Sequence, residues 1–176
     1  MNRFLGKNLS LVALLLASPF VIANDEMKHG QVGIASYATV ISPDYTKDEK
    51  LGGFAVYGTG AFNDNFAGRL LIGFQSHNDY SEIDITAFEG SLLAGTGLAT
   101  EGFKAYGSLG FYNEKWEVPG FSEKFGGGMI GGGVGYNWQY VSLEFWMNFR
   151  STSDYEDVLG QNATAASGGL GLAGRF

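Results

Sequence analysis

The chain has 176 residues, of which 28 are glycine, 15% are aromatic and only 16% are charged, with a formal net charge of -7 and no cysteine. The missing cysteines exclude a disulfide framework, a thiolate metal site and a lipid-modified N-terminal cysteine. An acidic balance with no basic stripe excludes a nucleic-acid partner, and so little charge beside so much glycine is unusual for a soluble domain.

The first residues read as a secretory signal: Arg3 and Lys7, an apolar core from Leu9 to Phe20, then Val21, Ile22 and Ala23, whose first and third side chains are small enough for a cleavage site. Residues 1–23 are therefore expected to be removed, leaving 24–176 as one domain. A retained membrane helix is the alternative, but the apolar core is short of the roughly 20 residues a bilayer span takes. Loss of the two basic residues makes the mature chain more acidic than the whole.

Beyond the signal the chain alternates with a period of two, which is the period of strands. Strands are expected at about 31–40, 52–62, 66–75, 83–93, 102–116, 127–138, 140–150 and 163–176. The seventh is the clearest. Val141, Leu143, Phe145, Met147 and Phe149 line one face, while Ser142, Glu144, Asn148 and Arg150 line the other, with Trp146 among them. The fourth breaks the pattern, because Ile83 and Ile85 lie on the opposite parity from Phe88, Gly90 and Leu92; a bulge near Thr86, or an upper end standing clear of the apolar zone, would each account for it.

The connections alternate short and long. Asn63 to Asn65, Ala94 to Glu101 and Trp138 to Gln139 make the short ones, and 41–50, 76–82, 113–126 and 151–162 are polar loops expected in water. Pro43 and Pro119 both fall in long loops. Aromatics gather toward the strand ends: Phe62, Phe66, Tyr136, Trp138, Tyr140 and Phe176 near the short turns, and Phe111, Tyr112, Trp116 and Phe149 near the long loops. Belts at two bilayer interfaces explain this distribution. The expected fold is all-β: a closed antiparallel up-and-down transmembrane β-barrel of about eight strands, greasy side out and polar side in.

These strands, their alternating connections and the ending Gly-Leu-Gly-Leu-Ala-Gly-Arg-Phe resemble the small eight-stranded outer-membrane barrels of the OmpA, OmpX and Ail kind. The resemblance implies a bacterial outer-membrane location among lipid and lipopolysaccharide. It also implies that Phe176, in phase with Leu170 and Leu172, is read by the outer-membrane assembly machinery.

A barrel of eight strands is wide enough only for its own side chains. Registers inferred from turn positions place Gly133 opposite Glu144, Gly131 opposite Trp146, and Arg69 across from Glu89. Lys104 then reaches over the glycines of the sixth strand toward Glu144. Arg69, Glu89, Lys104 and Glu144 are thus expected to form one structural charge network plugging the lumen, since each would be costly to bury alone; Lys104 and Glu144 near opposite rims is the alternative.

No catalytic, metal or cofactor site is read from the chain. Some small barrels modify lipid A, but the stretch Asn148 to Ser153 holds no histidine, and His29 and His77 stand away from any serine and acid constellation. His77 with Asp79 lacks a third metal ligand. The glycines at 126–135 keep strand parity and are not followed by the helix a phosphate-binding loop needs. The functional expectation is a structural or surface-interaction role, in adhesion or envelope integrity, with loops 41–50, 76–82, 113–126 and 151–162 as the surface for a partner. A narrow channel or carrier of small hydrophobic ligands is the alternative, and a lipid A-modifying enzyme or a soluble lipocalin-like binder lies further off.

Overall fold

The computed structural model describes residues 27–77, 83–118 and 121–176; the expected signal peptide lies outside them. Eight strands follow one another: β1 (Gly30–Pro43), β2 (Glu49–Ala61), β3 (Phe66–His77), β4 (Asp84–Thr96), β5 (Gly102–Val118), β6 (Phe121–Asn137), β7 (Val141–Arg150) and β8 (Ala163–Arg175), with a short helix α1 (Ser153–Leu159) before the last. Each strand pairs antiparallel with the next, and β8 pairs back onto β1, from Gln31 opposite Arg175 to Pro43 opposite Ala163. Closure leaves no free edge along the wall, so backbone groups are satisfied without water.

The alternation read from the sequence becomes an outside and an inside. Every strand presents a large apolar side chain outward: Ile34, Phe54, Leu70, Leu92, Leu109, Ile130, Phe145 and Leu172, each 53 to 65% exposed. Covering each of these is worth about 1.5–3 kcal/mol, so a wall of them calls for an apolar surrounding. The inward positions are buried and include Arg69, Glu89, Lys104, Glu114, Glu144, Arg150 and Arg175.

Several expectations need correction. The register of β4 is unbroken on both sides, so no bulge sits near Thr86; Ile85 simply points inward, as Ala87 and Leu93 do, and fills the lumen. Residues 113–126 are not a loop. Residues 113–118 continue β5 and 121–126 begin β6, paired from Asn113 opposite Gly126 to Val118 opposite Phe121, and Pro119 lies outside the described residues. Charge misled the reading there: a ladder can carry Glu and Lys wherever its faces meet water or partners.

Pro43 ends β1 instead of standing in a loop, at a position past the last β1–β2 pair, where its missing N–H costs no ladder bond. The other long connections shrink likewise, since Ile41 and Ser42 belong to β1, Lys50 to β2, and Ser76 and His77 to β3. Loop 151–162 contains α1. Tyr112 is buried in the lumen and Trp116 packs on an interior cluster, so neither belongs to the outer aromatic belt, whereas Phe111 and Phe149 do.

The short-turn end is closed by its own turns. The Asp64 carboxylate accepts from the amides of Gly97, Ala99 and Thr100 at 3.0–3.1 Å and from the Thr100 hydroxyl at 2.8 Å. Burial alone would raise its pKa, but the Thr100 hydroxyl and these three amides outweigh that and hold it below the ordinary value. Arg175 reaches in from β8 to the carbonyls of Trp138, Ala99 and Thr100 at 2.5, 2.6 and 3.0 Å. Gly97, at φ 71°, and Gly102, at φ 112°, supply the left-handed backbone that turns this segment inward, where Leu98 and Ala99 are buried.

Candidate functional site: the charged lumen

Apart from Arg175 at the short-turn end, the inward charges named above form two groups, each a triad. Nearer the short turns, Lys104 on β5, Gly135 on β6 and Glu144 on β7 stand in one row of the sheet. Gly135 has no side chain to interpose, so the Lys104 ammonium crosses the row and meets Glu144 Oε2 at 2.7 Å. Arg69 reaches the same carboxylate from β3, with Nη2 2.6 Å from Oε1. Its Nε donates to Thr59 at 3.0 Å and its Nη1 to the Tyr106 hydroxyl at 2.9 Å, while Lys104 also donates to Ser142 at 2.7 Å. The guanidinium lies 5.2–5.3 Å from the rings of Tyr57, Tyr106 and Trp146, a cation–π setting among buried side chains.

The second triad stands toward the long connections and is centred on Arg150 at the end of β7. Its Nη2 donates to Glu89 Oε1 and its Nη1 to Glu114 Oε2, both at 2.7 Å. Glu89 Oε1 also accepts from the hydroxyls of Tyr37 at 2.5 Å and Ser167 at 3.0 Å. Glu114 Oε1 accepts from Trp116 Nε1 at 2.7 Å and from the Tyr155 hydroxyl at 2.6 Å. Tyr155 lies on α1, above the wall; burial, and then the Glu114 carboxylate beside it, push its hydroxyl far above the usual tyrosine pKa.

Between the triads lies an apolar layer of Ala35, Ala55, Leu71, Ala87 and Trp146 with the rings of Tyr37 and Tyr57. Inward glycines make room for it. An ideal Cβ on Gly169 or Gly171 would come within 3 Å of the Trp146 ring. The cavity beside this layer, lined by Arg69, Glu89, Ser91, Ser108 and Asn148 among others, holds about 10 Å³, space for at most one water molecule. Chemically, the arrangement neutralises charge and fills volume.

Of the four residues expected in one network, Arg69, Lys104 and Glu144 come together, and Glu89 does not join them. Glu89 faces Leu71 in the ladder and Arg69 faces Ser91; Glu144 faces Gly135 and Trp146 faces Gly133. Both inferred registers were two residues off, because each hairpin is centred one residue later than its turn signal suggested. A slip of two keeps every side chain on its face, so the inside and outside assignments survived while the partners changed. Glu114 and Arg150 were missed as members. Glu114 shares the parity of Lys104 and Tyr112, and carrying the strand pattern past Asn113 would have placed it inside.

No family model matches the chain, and no curated protein matches it. Among solved structures it is similar to Ail, the attachment invasion locus protein of Yersinia pestis, at 19% identity over 85% of this chain and 99% of that one, with a TM-score of 0.54. It is similar to Neisserial surface protein A at 11% identity, over 86% of this chain and all of that one, TM-score 0.57. OprG from Pseudomonas aeruginosa matches at 16% identity, over 86% and 98% of the two chains, TM-score 0.51. The chain thus has the fold of the small eight-stranded outer-membrane barrels.

Proposed function

We propose that the protein is an integral barrel of a bacterial outer membrane, exported by residues 1–23, with a sealed lumen, no catalysis, and a structural or surface-interaction role in adhesion or envelope integrity. One observation carries this reading: every strand leaves a large apolar side chain exposed on the outside, and the inside is filled by two charge triads and the apolar layer between them. A diffusive channel would need space where Trp146 stands. The histidines support a non-catalytic reading, since His29 bonds the Ala61 carbonyl and His77 pairs with Glu49.

For a surface role, the connection after β1 is the better candidate. Tyr45 is 88% exposed there, and its amide is tied to the Gln161 side chain at 2.9 Å, so an aromatic ring is presented on an anchored backbone. The similar Ail has been crystallised with the heparin analogue sucrose octasulfate. Toward the outer rim Asp44, Asp48, Glu49, Glu117, Glu123 and Asp157 outnumber Lys47, Lys50, Lys115 and Lys124, and that acidity favours a cationic or apolar partner over a sulfated one. Phe176, whose amide and carbonyl pair with Gly30 at 2.9 Å, is proposed as the residue the assembly machinery reads.

The test is purification from outer-membrane fractions, reconstitution in a planar bilayer, and a cell-adhesion assay comparing wild type with Tyr45→Ala. Fractionation with the membrane, no conductance, and weaker adhesion in a variant that still shows heat-modifiable gel mobility are expected. Recovery as a soluble protein, or steady conductance, would overturn the membrane or the sealed-lumen reading respectively, and unchanged adhesion would remove Tyr45.

A further inference from the structure

β6 is paired on only part of its length. Its ladder with β5 runs from Phe121 to Asn137, but its ladder with β7 begins only at Met129 opposite Arg150. Residues 121–128 therefore stand above the closed wall with one edge unpaired by any strand, a condition that invites pairing with another chain unless something covers it.

What covers it is the segment that follows β7. The Ser151 amide donates to the Gly128 carbonyl at 2.8 Å, and the Gly126 amide donates to the Asp154 carboxylate at 2.8 Å, in place of a neighbouring strand's carbonyl. The chain passes so close that a Cβ on Gly127 would lie 2.1 Å from the Ser151 hydroxyl. α1 then lays Tyr155 over the mouth, stacked on Phe125 at 4.9 Å and Tyr112 at 6.2 Å between ring centres, with its hydroxyl on Glu114. Of the acidic and aromatic residues that the sequence offers here for a partner, Asp154, Tyr155 and Glu156 are engaged internally; Glu156 accepts from the Thr152 hydroxyl and the Ala163 amide.

We propose that residues 151–162 are a strap that closes the outer mouth and covers the open edge of β6, fastened by the Tyr155 hydroxyl on Glu114. Its far end turns at Gly160, whose left-handed backbone at φ 66° ends α1 and forms a joint. Because Glu114 keeps Arg150 and Trp116 when Tyr155 leaves, the strap can lift without stranding a buried charge. Lifting it bares the β6 edge and the upper triad together.

Hydrogen–deuterium exchange on the mature barrel in lipid vesicles tests this, comparing wild type with Tyr155→Phe and Asp154→Ala. In Tyr155→Phe, amides at 153–160 and that of Gly126 exchange tenfold faster or more, the loss expected for one hydrogen bond to a charged acceptor, while amides at 129–137 keep their wild-type rates. In Asp154→Ala the Gly126 amide alone accelerates. Unchanged rates at 153–160 in Tyr155→Phe would show that the hydroxyl fastens nothing. Faster exchange at 129–137, or failure of that variant to fold, would show that Tyr155 holds the barrel and not a strap. An unaltered Gly126 rate in Asp154→Ala would remove the edge cover.

Discussion

The two triads of the lumen are built with opposite proportions. Near the short turns one carboxylate, Glu144, serves two cations, Arg69 and Lys104; toward the mouth one guanidinium, Arg150, serves two carboxylates, Glu89 and Glu114. The first has one positive charge over and the second one negative, and they face each other across the Trp146 layer, so the six charges of the two triads cancel, while Arg175 at the short-turn end is met by carbonyls. Each central residue uses what its chemistry allows. A carboxylate offers two oxygens to two donors, and a guanidinium offers a fork of N–H groups to two acceptors. Both central residues lie on β7, six positions apart, so one strand positions both triads.

This comparison predicts that the central residues outweigh the outer ones. Glu144→Ala, which strands two cations, and Arg150→Ala, which strands two anions, are each expected to lose about 3–5 kcal/mol, measured by urea unfolding from lipid vesicles. A loss under about 1 kcal/mol in either would mean that water reaches the triad. Lys104→Met leaves the Arg69–Glu144 pair whole, and its expected cost is about 1 kcal/mol or less, since an apolar replacement also removes a desolvation penalty. If it matched Glu144→Ala, the stated hierarchy would be wrong.

Outside the lumen the effects should be smaller. Asp64→Asn weakens the acceptor that gathers the 97–101 turn and should cost about 1 kcal/mol at neutral pH. Because the folded pKa of Asp64 lies below its ordinary value, its contribution is complete above the unfolded pKa of about 3.9 and is lost as pH falls through the folded value. The stability difference between wild type and Asp64→Asn should therefore narrow only in acid, and a difference that widened there would reverse the assignment. Smallest is Lys115→Ala. Its pair with Glu117 is exposed on the hairpin above the wall, and removing it should change stability by about 0.5 kcal/mol or less.

The strand count, the closed architecture and the facing of nearly every side chain were legible in the sequence, because a period of two survives any shift of register by two. Ile85 looked anomalous only because an apolar residue inside a polar lumen breaks a simple rule, although it packs the interior as Leu71 and Leu93 do. The hairpin at 113–126 and helix α1 were hidden by composition, since charge and turn-forming residues suggest loop regardless of pairing. By itself, then, the sequence determined which side of the wall each residue occupies, through local alternation that every strand carries alone. Only the tertiary structure decided which charges meet, because a partner across a barrel depends on the summed registers of the strands between, and a displacement of two residues per hairpin moves Glu89 from Arg69 to Arg150 without altering a single facing.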